Sequence, residues 1–465
     1  MKIGIVIADG VGYRNFILSD FIKELKSNGN EIIIYSGLIK NVYEKELLKG
    51  IAFRELEIYK ESKISWVLRK LKEIAHLQLH KKSFGIQTSL TNGYPKKRVG
   101  LKGNLLKVIY KVTTHLNSEF WIRVFEKLQF SSFKYSGIVN KYKNYLKEDR
   151  PNFLFFTHQR PYNLAPFLGA AEGCKINTGT FIFSWDNLPS KGRMLGSFDH
   201  YFVWSDLMEK ELLYYYTKIG KSQIHVIGTP QFEPYVMDSY FTEKSYFFQR
   251  FNLDPMKKTI YYSCGDVSTS KLDPHYIDCI ASIIQSNKTV EPVNFIVRTS
   301  PAEDESRFKE LQKKFDFIQW NFPKWPLTRT NHTEMWSQKV PDKQDLKDLR
   351  ALLAYSDLNI NMCSTMSLDF MIFDKPVINA VFGNESNGLY NDQKYLKYDH
   401  YKRVVESGAV VIAKTEEELI KAINSEIKNP MQRSKQRKEL IDLQISKKLK
   451  GTSTRIAQSL ALLNE

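Results

Sequence analysis

Eleven short, nearly unbroken apolar runs recur along the 465 residues, separated by stretches of helical periodicity or by breaks of Gly, Pro and Asn. Runs of this length without polar alternation are strands buried on both faces, an environment that a parallel sheet covered by helices provides. The opening sets the pattern. KIGIVIA is a strand, residues 16–26 have helical spacing, Asn28-Gly29-Asn30 stops the helix, and EIIIYSG is the next strand, which together make a βαβ unit. NFLFFTH (152–158), TGTFIFSW (178–185), HYFVWS (200–205) and IHVIG (224–228) continue the series, with a helical segment over 206–216. After the break GTPQFEPY (228–235) a second series begins: TIYYSCG (259–265), NFIVRTSP (294–301), DLNINMCS (357–364), KPVINAVF (375–382) and AVVIAK (409–414).

A chain this long exceeds what one hydrophobic core organises, so the two series read as two domains. The expected fold class is α/β, with two tandem doubly wound, Rossmann-like domains spanning 1–235 and 236–440. A helical tail over 441–465 is placed to return to the first domain. Hydrophobic residues at 42% and charged residues at 26% are globular proportions. The apolar run at the N-terminus is six residues long, too short for a signal peptide or a membrane span, which leads to an expected cytoplasmic location. Cys174, Cys264, Cys279 and Cys363 have no paired spacing and read as free thiols rather than a zinc site or a disulfide framework.

The net charge of +17 is unevenly spread. Between Lys60 and Arg150 there are 20 Lys/Arg against 6 Asp/Glu, so an anionic surface or ligand is expected to face this segment. Trp66, Val67, Leu68, Leu71, Ile74 and Ala75 interleave with Arg69, Lys70 and Lys72 at helical spacing. This is the pattern of a helix lying on an anionic bilayer, and equally of a packed helix with a solvated basic face. A peripheral position on the inner face of the cell membrane follows from the first reading. No helix-turn-helix, RNA-recognition or zinc-finger pattern accompanies the charge, so no nucleic-acid partner is expected.

In open α/β sheets ligands bind beyond the carboxyl ends of the strands. In the second series these positions carry Ser263, Gly265, Arg298, Ser300, Ser364, Thr365 and Met366, small or hydroxyl-bearing residues with one arginine. Such turns bring backbone N–H groups to a phosphate, although helix capping alone also selects Ser and Thr there. The segment STMSLDFMIFDKPVI adds spacing to composition. It resembles the C-terminal domain of GT-B glycosyltransferases, in which a small-residue turn, a helix with an acid and a Gly/Lys-Pro-Val-Ile strand follow one another. GTPQFEPY, IVRTSP and YDHYKRVVESGAVVIAKTEEELIKAI are similar to the bacterial surface-polysaccharide branch, near the glycerophosphotransferase and Kdo-transferase groups.

The resemblance implies that the 364–366 turn contacts donor phosphates and that Asp369 binds ribose hydroxyls. It also implies a nucleotide-sugar donor and a saccharide or lipid-linked acceptor, in surface-glycan synthesis. Many retaining members carry Glu eight positions before the helix acid; here that position is Asn361, which favours inversion. The expected activity is therefore inverting glycosyl transfer. Transfer of a polyol phosphate from a CDP-linked donor is the alternative enzyme reading, and a non-catalytic nucleotide-sugar-binding or nucleic-acid-binding protein is the alternative outside enzymes.

Inversion needs a base for the acceptor hydroxyl. His158, Asp9 and Asp186 each follow an apolar strand in the first series and are the candidates, and a histidine has the more suitable unperturbed pKa. FSWDNLPSKGRM (183–194) supplies Asn187 and Lys191, and the turn after the first strand supplies Gly12 and Arg14, as acceptor-side or phosphate-side residues. Gly10 and Gly12 suit a close backbone approach to a ligand, or a tight turn. Arg298, helix ends, Lys191 and Lys375 are expected to meet the diphosphate charge, so no metal or other cofactor is expected. The irregular, aromatic stretch 320–341 is the expected place of base recognition.

Overall fold

The computed structural model describes residues 1–463 except 97–99, 302, 304 and 333. Lys97 and Arg98 of the basic segment, and the last two residues of the tail, therefore lie outside the described residues. The chain forms two compact units. The first comprises 1–231, 327–340 and 444–465; the second comprises 232–326 and 341–443. Each holds one all-parallel sheet, as the apolar runs require.

The first sheet has seven strands: β1 (Lys2–Ile7), β2 (Glu31–Ser36), β3 (Ala52–Glu55), β4 (Phe153–Phe156), β5 (Asn177–Phe181), β6 (His200–Val203) and β7 (Ile224–Val226). Their spatial order is β3-β2-β1-β4-β5-β6-β7. The second has β8 (Lys258–Ser263), β9 (Val293–Arg298), β10 (Gln319–Asn321), β11 (Leu358–Asn361), β12 (Val377–Ala380) and β13 (Val411–Ala413), in the order β10-β9-β8-β11-β12-β13. Growth of each sheet therefore reverses once, between β1 and β4 and between β8 and β11. Val6 pairs with Phe156 at the first reversal and Tyr262 with Ile360 at the second.

Local chemistry moves one expected helix. In place of a helix over 16–26, Asp9 caps a helix at Gly10–Phe16 by accepting the Gly12 N–H at 2.7 Å, and a second helix runs Phe21–Ser27. Gly10 and Gly12 are then required by the protein itself. A Cβ on Gly10 would lie 1.8 Å from the Lys339 carbonyl oxygen, and one on Gly12 would lie 2.7 Å from the Thr157 hydroxyl. The tail helix Thr452–Leu462 packs within the first unit on the Phe21–Ser27 helix, and Arg455 donates to the Ile227 carbonyl at 3.0 Å.

The basic segment supplies helices at Lys63–Leu79, Phe84–Gly93, Leu101–Thr113 and Glu119–Phe133. The bilayer reading of the Lys63–Leu79 helix is not what the structure shows, because the helix is packed. Ile74 and Ala75 are buried against the 101–113 and 119–133 helices. Lys72 is fully buried and donates to the Leu195 carbonyl at 2.6 Å. Arg69 bonds Glu61 and Glu73, and Lys70 bonds Glu73. Arg69 and Lys72 thus complete the interior rather than face solvent, and Lys70 is half-buried. Among the described residues, no helix is long and apolar enough to cross a membrane.

The two units carry opposite titration signatures. In the first, burial holds His76 well below the usual histidine range, with the nearby Arg193 guanidinium adding to the effect, and lowers His80 and His225 to about 4. In the second, burial raises the Asp273 carboxyl to about 7 and the Asp392 carboxyl to about 6. Between pH 7 and 5 an unfolded first unit binds more protons than the folded one, so acid destabilises it, whereas the folded second unit binds more and gains. The slope is about 1.4 kcal/mol per pH unit for each proton of difference. Hydrogen exchange at matched intrinsic rates is expected to show protection falling in the first unit and rising in the second on going from pH 7 to 5; parallel changes would refute the assignment.

Candidate active site

The loop after β1 and the loop after β4 meet where the first sheet reverses, the place at which doubly wound sheets bind ligands. Asp9 and His158 occupy these two loops. Asp9 is buried, and its two carboxylate oxygens have separate tasks: Oδ1 accepts the Gly12 N–H, and Oδ2 lies 2.7 Å from His158 Nδ1. An ionised carboxylate only accepts, so the proton of this bond sits on Nδ1. That leaves the Nε2 lone pair as the basic atom, and Nε2 has no partner among the described residues. The imidazole is clamped from the side by Phe183, whose ring stacks on it at a centroid distance of 3.9 Å and an angle of 15°. An oriented, unpartnered imidazole nitrogen backed by a carboxylate is the arrangement of a general base.

A second layer fixes the neighbouring segment after β5. Gln159 is buried, accepts the Phe183 N–H at 3.0 Å and donates to Asn187 Oδ1 at 2.9 Å. Asn187 donates in turn to Asp186 at 3.0 Å, and Lys191 lies 3.5 Å from the same carboxylate. Asp186 is thus tied to its own loop, while Asp9 and His158 act as a pair. Arg14 is buried and donates to Asn15 and to the Gln231 carbonyl at 3.2 Å, which anchors the 10–16 helix. In the sequence, Asp9 and His158 read as alternative candidates for the base. Their contact across 149 positions is not legible in the sequence, nor is the stacking of Phe183, although FTHQ and FSWDN each mark a strand end.

In the second unit the loops after β8 and β11 lie at the other reversal. Cys363, between β11 and Ser364, has φ of 48°, a conformation a side chain adopts at a cost and one that clusters at functional turns. Buried amides hold this turn. Asn361 Oδ1 accepts the Ser364 N–H at 2.9 Å, and its Nδ2 donates to Asn359 at 2.7 Å and to Ser367 at 3.1 Å. Asn379 donates to Asn361 at 3.0 Å, and Asn359 donates to the Ser263 hydroxyl at 3.2 Å. Met366 N–H is taken by Ser364 Oγ at 3.3 Å, in the turn that also carries Thr365. Asn361 is therefore a structural strut at the position where the resemblance points to a missing carboxylate.

Several expected donor contacts are engaged within the protein. Gly265 donates its N–H to Asp273 at 3.0 Å, beneath the loop after β8. Asp369 lies on the short helix Met366–Met371 and accepts the Tyr235 hydroxyl, so the tyrosine of GTPQFEPY pins the helix acid. Arg298 ends β9 as expected, and its buried guanidinium bonds both carboxylate oxygens of Asp345 at 2.9 Å and also bonds Asn321. The Lys375 ammonium donates to the Ala354 and Ser356 carbonyls at 2.5 Å at the end of the Lys343–Tyr355 helix. Ser300 follows β9 in the same strand-end region. The stretch expected to read the base is divided: 327–340 belongs to the first unit, while Trp325 donates to Asp345 in the second. Among the described residues no group of three His, Cys, Asp or Glu side chains is placed to hold a metal ion.

Comparison with known proteins agrees with this architecture. Residues 285–462 match the family described as CDP-glycerol:poly(glycerophosphate) glycerophosphotransferase. No curated protein matches the chain. The fold is similar to S. aureus MnaA in a co-structure with UDP, with a TM-score of 0.56 at 12% identity over 100% of this chain and 97% of that one. It is also similar to the UDP-GlcNAc 2-epimerase of Neisseria meningitidis bound to UDP-GlcNAc (TM-score 0.55, 12% identity, 99% of this chain and 100% of that one). A glycosyltransferase of Rickettsia africae ESF-5 gives a TM-score of 0.52 at 11% identity, over 99% and 97% of the two chains. The chain has the GT-B fold.

Arg298→Ala tests what the Arg298–Asp345 pair contributes. Removing one partner of a buried ion pair leaves Asp345 uncompensated, which typically costs about 3–5 kcal/mol. The variant is expected to unfold at a clearly lower temperature. A parent-like thermal midpoint together with weakened nucleotide binding would return Arg298 to the ligand.

Proposed function

We propose that this chain is a transferase of surface-glycan synthesis that moves a group from a nucleotide-activated donor onto an acceptor hydroxyl, with His158 as the base and Asp9 as its orienting partner. The observation that carries the reading is the Asp9–His158 bond, which leaves a buried, unpartnered Nε2 at the reversal of the first sheet. The GT-B fold and the family match over 285–462 support the donor class.

In the glycosyl reading the acceptor oxygen attacks the anomeric carbon as its proton passes to His158 Nε2. The new C–O bond forms on the face opposite the breaking bond to the phosphate oxygen, so configuration inverts and the nucleoside diphosphate leaves. Asp9 stabilises the imidazolium that results, since its carboxylate sits 2.7 Å from the Nδ1 proton. The loops after β8 and β11, with Ser263, Gly265, Ser300, Ser364, Thr365, Met366 and Asp369, are the proposed donor-binding region. Asn187 and Lys191 are proposed for the acceptor side. Base-assisted displacement of this kind requires no metal, and a saccharide or lipid-linked hydroxyl serves as acceptor.

The family match favours a second reading, transfer of a polyol phosphate from a CDP-linked donor. The same base takes the same proton, but the acceptor oxygen attacks phosphorus, the bond to the bridging oxygen breaks and CMP leaves. Product analysis separates the two: a nucleoside diphosphate from UDP-sugars or CMP from CDP-glycerol.

His158→Gln keeps the ring's approximate volume but not the base, and is expected to lower kcat by about 10²–10⁴-fold with nucleotide affinity retained. Asp9→Asn is expected to lower kcat as well, because an amide can bond the imidazole in the wrong tautomer. Turnover by His158→Gln within threefold of the parent would sink the assignment. Activity is expected to persist in EDTA; loss on chelation, restored by Mg²⁺ or Mn²⁺, would replace the metal-independent scheme.

A further inference from the structure

The Leu101–Thr113 helix carries two apolar stripes, and only one of them is covered. Leu106, Ile109 and Tyr110 face the Lys63–Leu79 helix and pack with Trp66, Leu71 and Ile74. Leu101, Leu105, Val108 and Val112 recur at spacings of four, three and four, which aligns them along one helix edge. They remain 91%, 40%, 56% and 37% exposed. Beside this stripe, Leu90, Tyr94 and Val108 line an open depression of about 680 Å³ whose rim bears Lys96, Lys107 and Lys111.

The charge around the stripe is uncompensated. All six acids between residues 60 and 150 are already used: Glu61 and Glu73 by Arg69, Glu119 by Arg193, Glu126 by Lys72, and Glu148 and Asp149 by Arg54. Lys96, Lys102, Lys107 and Lys111 form no ion pair among the described residues, and Lys102 lies over the Trp66 ring at 5.0 Å. A row of exposed aliphatic side chains bordered by unneutralised lysines matches the boundary of an anionic bilayer, where aliphatic groups enter the acyl region and ammonium groups stay with the headgroups.

We propose that the Leu101–Thr113 helix, with the rim lysines Lys96, Lys107 and Lys111, docks the first unit on an anionic lipid surface. The charge pattern selects this occupant, because an acidic headgroup layer satisfies the lysines and buries the stripe together. The proposal is independent of the reaction chemistry, since neither the helix nor its lysines touch Asp9 or His158.

Co-sedimentation with vesicles of phosphatidylglycerol and phosphatidylcholine, against vesicles of phosphatidylcholine alone, tests it. The parent is expected to pellet with the anionic vesicles at low salt and to be released as salt rises. Each surface lysine is worth about fivefold in partitioning before screening, so Lys96→Gln/Lys107→Gln/Lys111→Gln is expected to lose at least about tenfold on anionic vesicles. Leu105→Ser/Val108→Ser/Val112→Ser is expected to lose binding comparably at an unchanged thermal midpoint. Leu101→Ser, at the most exposed position, keeps the test open if the triple variant is unstable, and is expected to weaken binding severalfold. Parent-like partitioning by the lysine variant, or by the serine variants, overturns the proposal, as does equal binding of the parent to neutral vesicles. A parent dimer in sedimentation velocity that the serine variant dissolves would assign the stripe to a second copy instead.

Discussion

Each sheet reverses its direction of growth once, and the Asp9–His158 pair and the Ser364 turn lie at those reversals. At a reversal the two loops that leave neighbouring strands turn to opposite faces, so their first residues flank a gap that no crossover helix fills. In the first unit this puts a residue after β1 beside a residue after β4, and Asp9 and His158 are those residues. The pair could form nowhere else in the sheet. Around it the fold is unusually committed: Gly12 is small because Thr157 crowds it, Gln159 and Asn187 bond to each other, and Phe183 lies flat on the imidazole.

The second unit uses its interior polarity differently. Asn359, Asn361, Asn379 and Ser367 form a fully buried hydrogen-bonded set that spans β11, β12 and the turn beyond them. Buried amides are tolerated only when they are satisfied, and here each bond made is also a constraint on the Ser364 turn. Arg298 and Lys375 follow the same logic. A cation drawn into the interior is paired before any ligand arrives, with a carboxylate in one case and with helix-end carbonyls in the other. Arg298 and Lys375, which look like anion receptors in the sequence, are thereby engaged by oxygens of their own domain.

Charge in the 60–150 segment obeys an equally simple rule. Six acids cannot neutralise twenty bases, and the fold spends all six on cations that it needs in place, among them Arg69, Arg193 and the buried Lys72. Part of the surplus, Lys102, Lys107 and Lys111, lies on the 101–113 helix. The 63–79 helix, whose apolar and basic residues interleave in the sequence, is packed, because such interleaving does not distinguish a membrane face from a helix whose cations bond inward.

The sequence by itself determined the fold class. Among the described residues, eleven of the thirteen strands are legible from unbroken apolar runs, and the two that are not, β3 and β10, are short edge strands with partly exposed faces and therefore mixed composition. It also placed Asp9, His158, Asp186 and the Ser364 turn at strand ends, since that depends only on where apolar runs stop. Which strand ends meet depends on strand order, which periodicity does not encode. Only the tertiary structure decided that Asp9 orients His158, that Tyr235 holds Asp369, that Arg298 belongs to Asp345, and that residues 327–340 join the first unit against Gly10. Each is a contact between groups more than forty positions apart, set by how buried polar atoms find partners, and a local pattern carries no record of that choice.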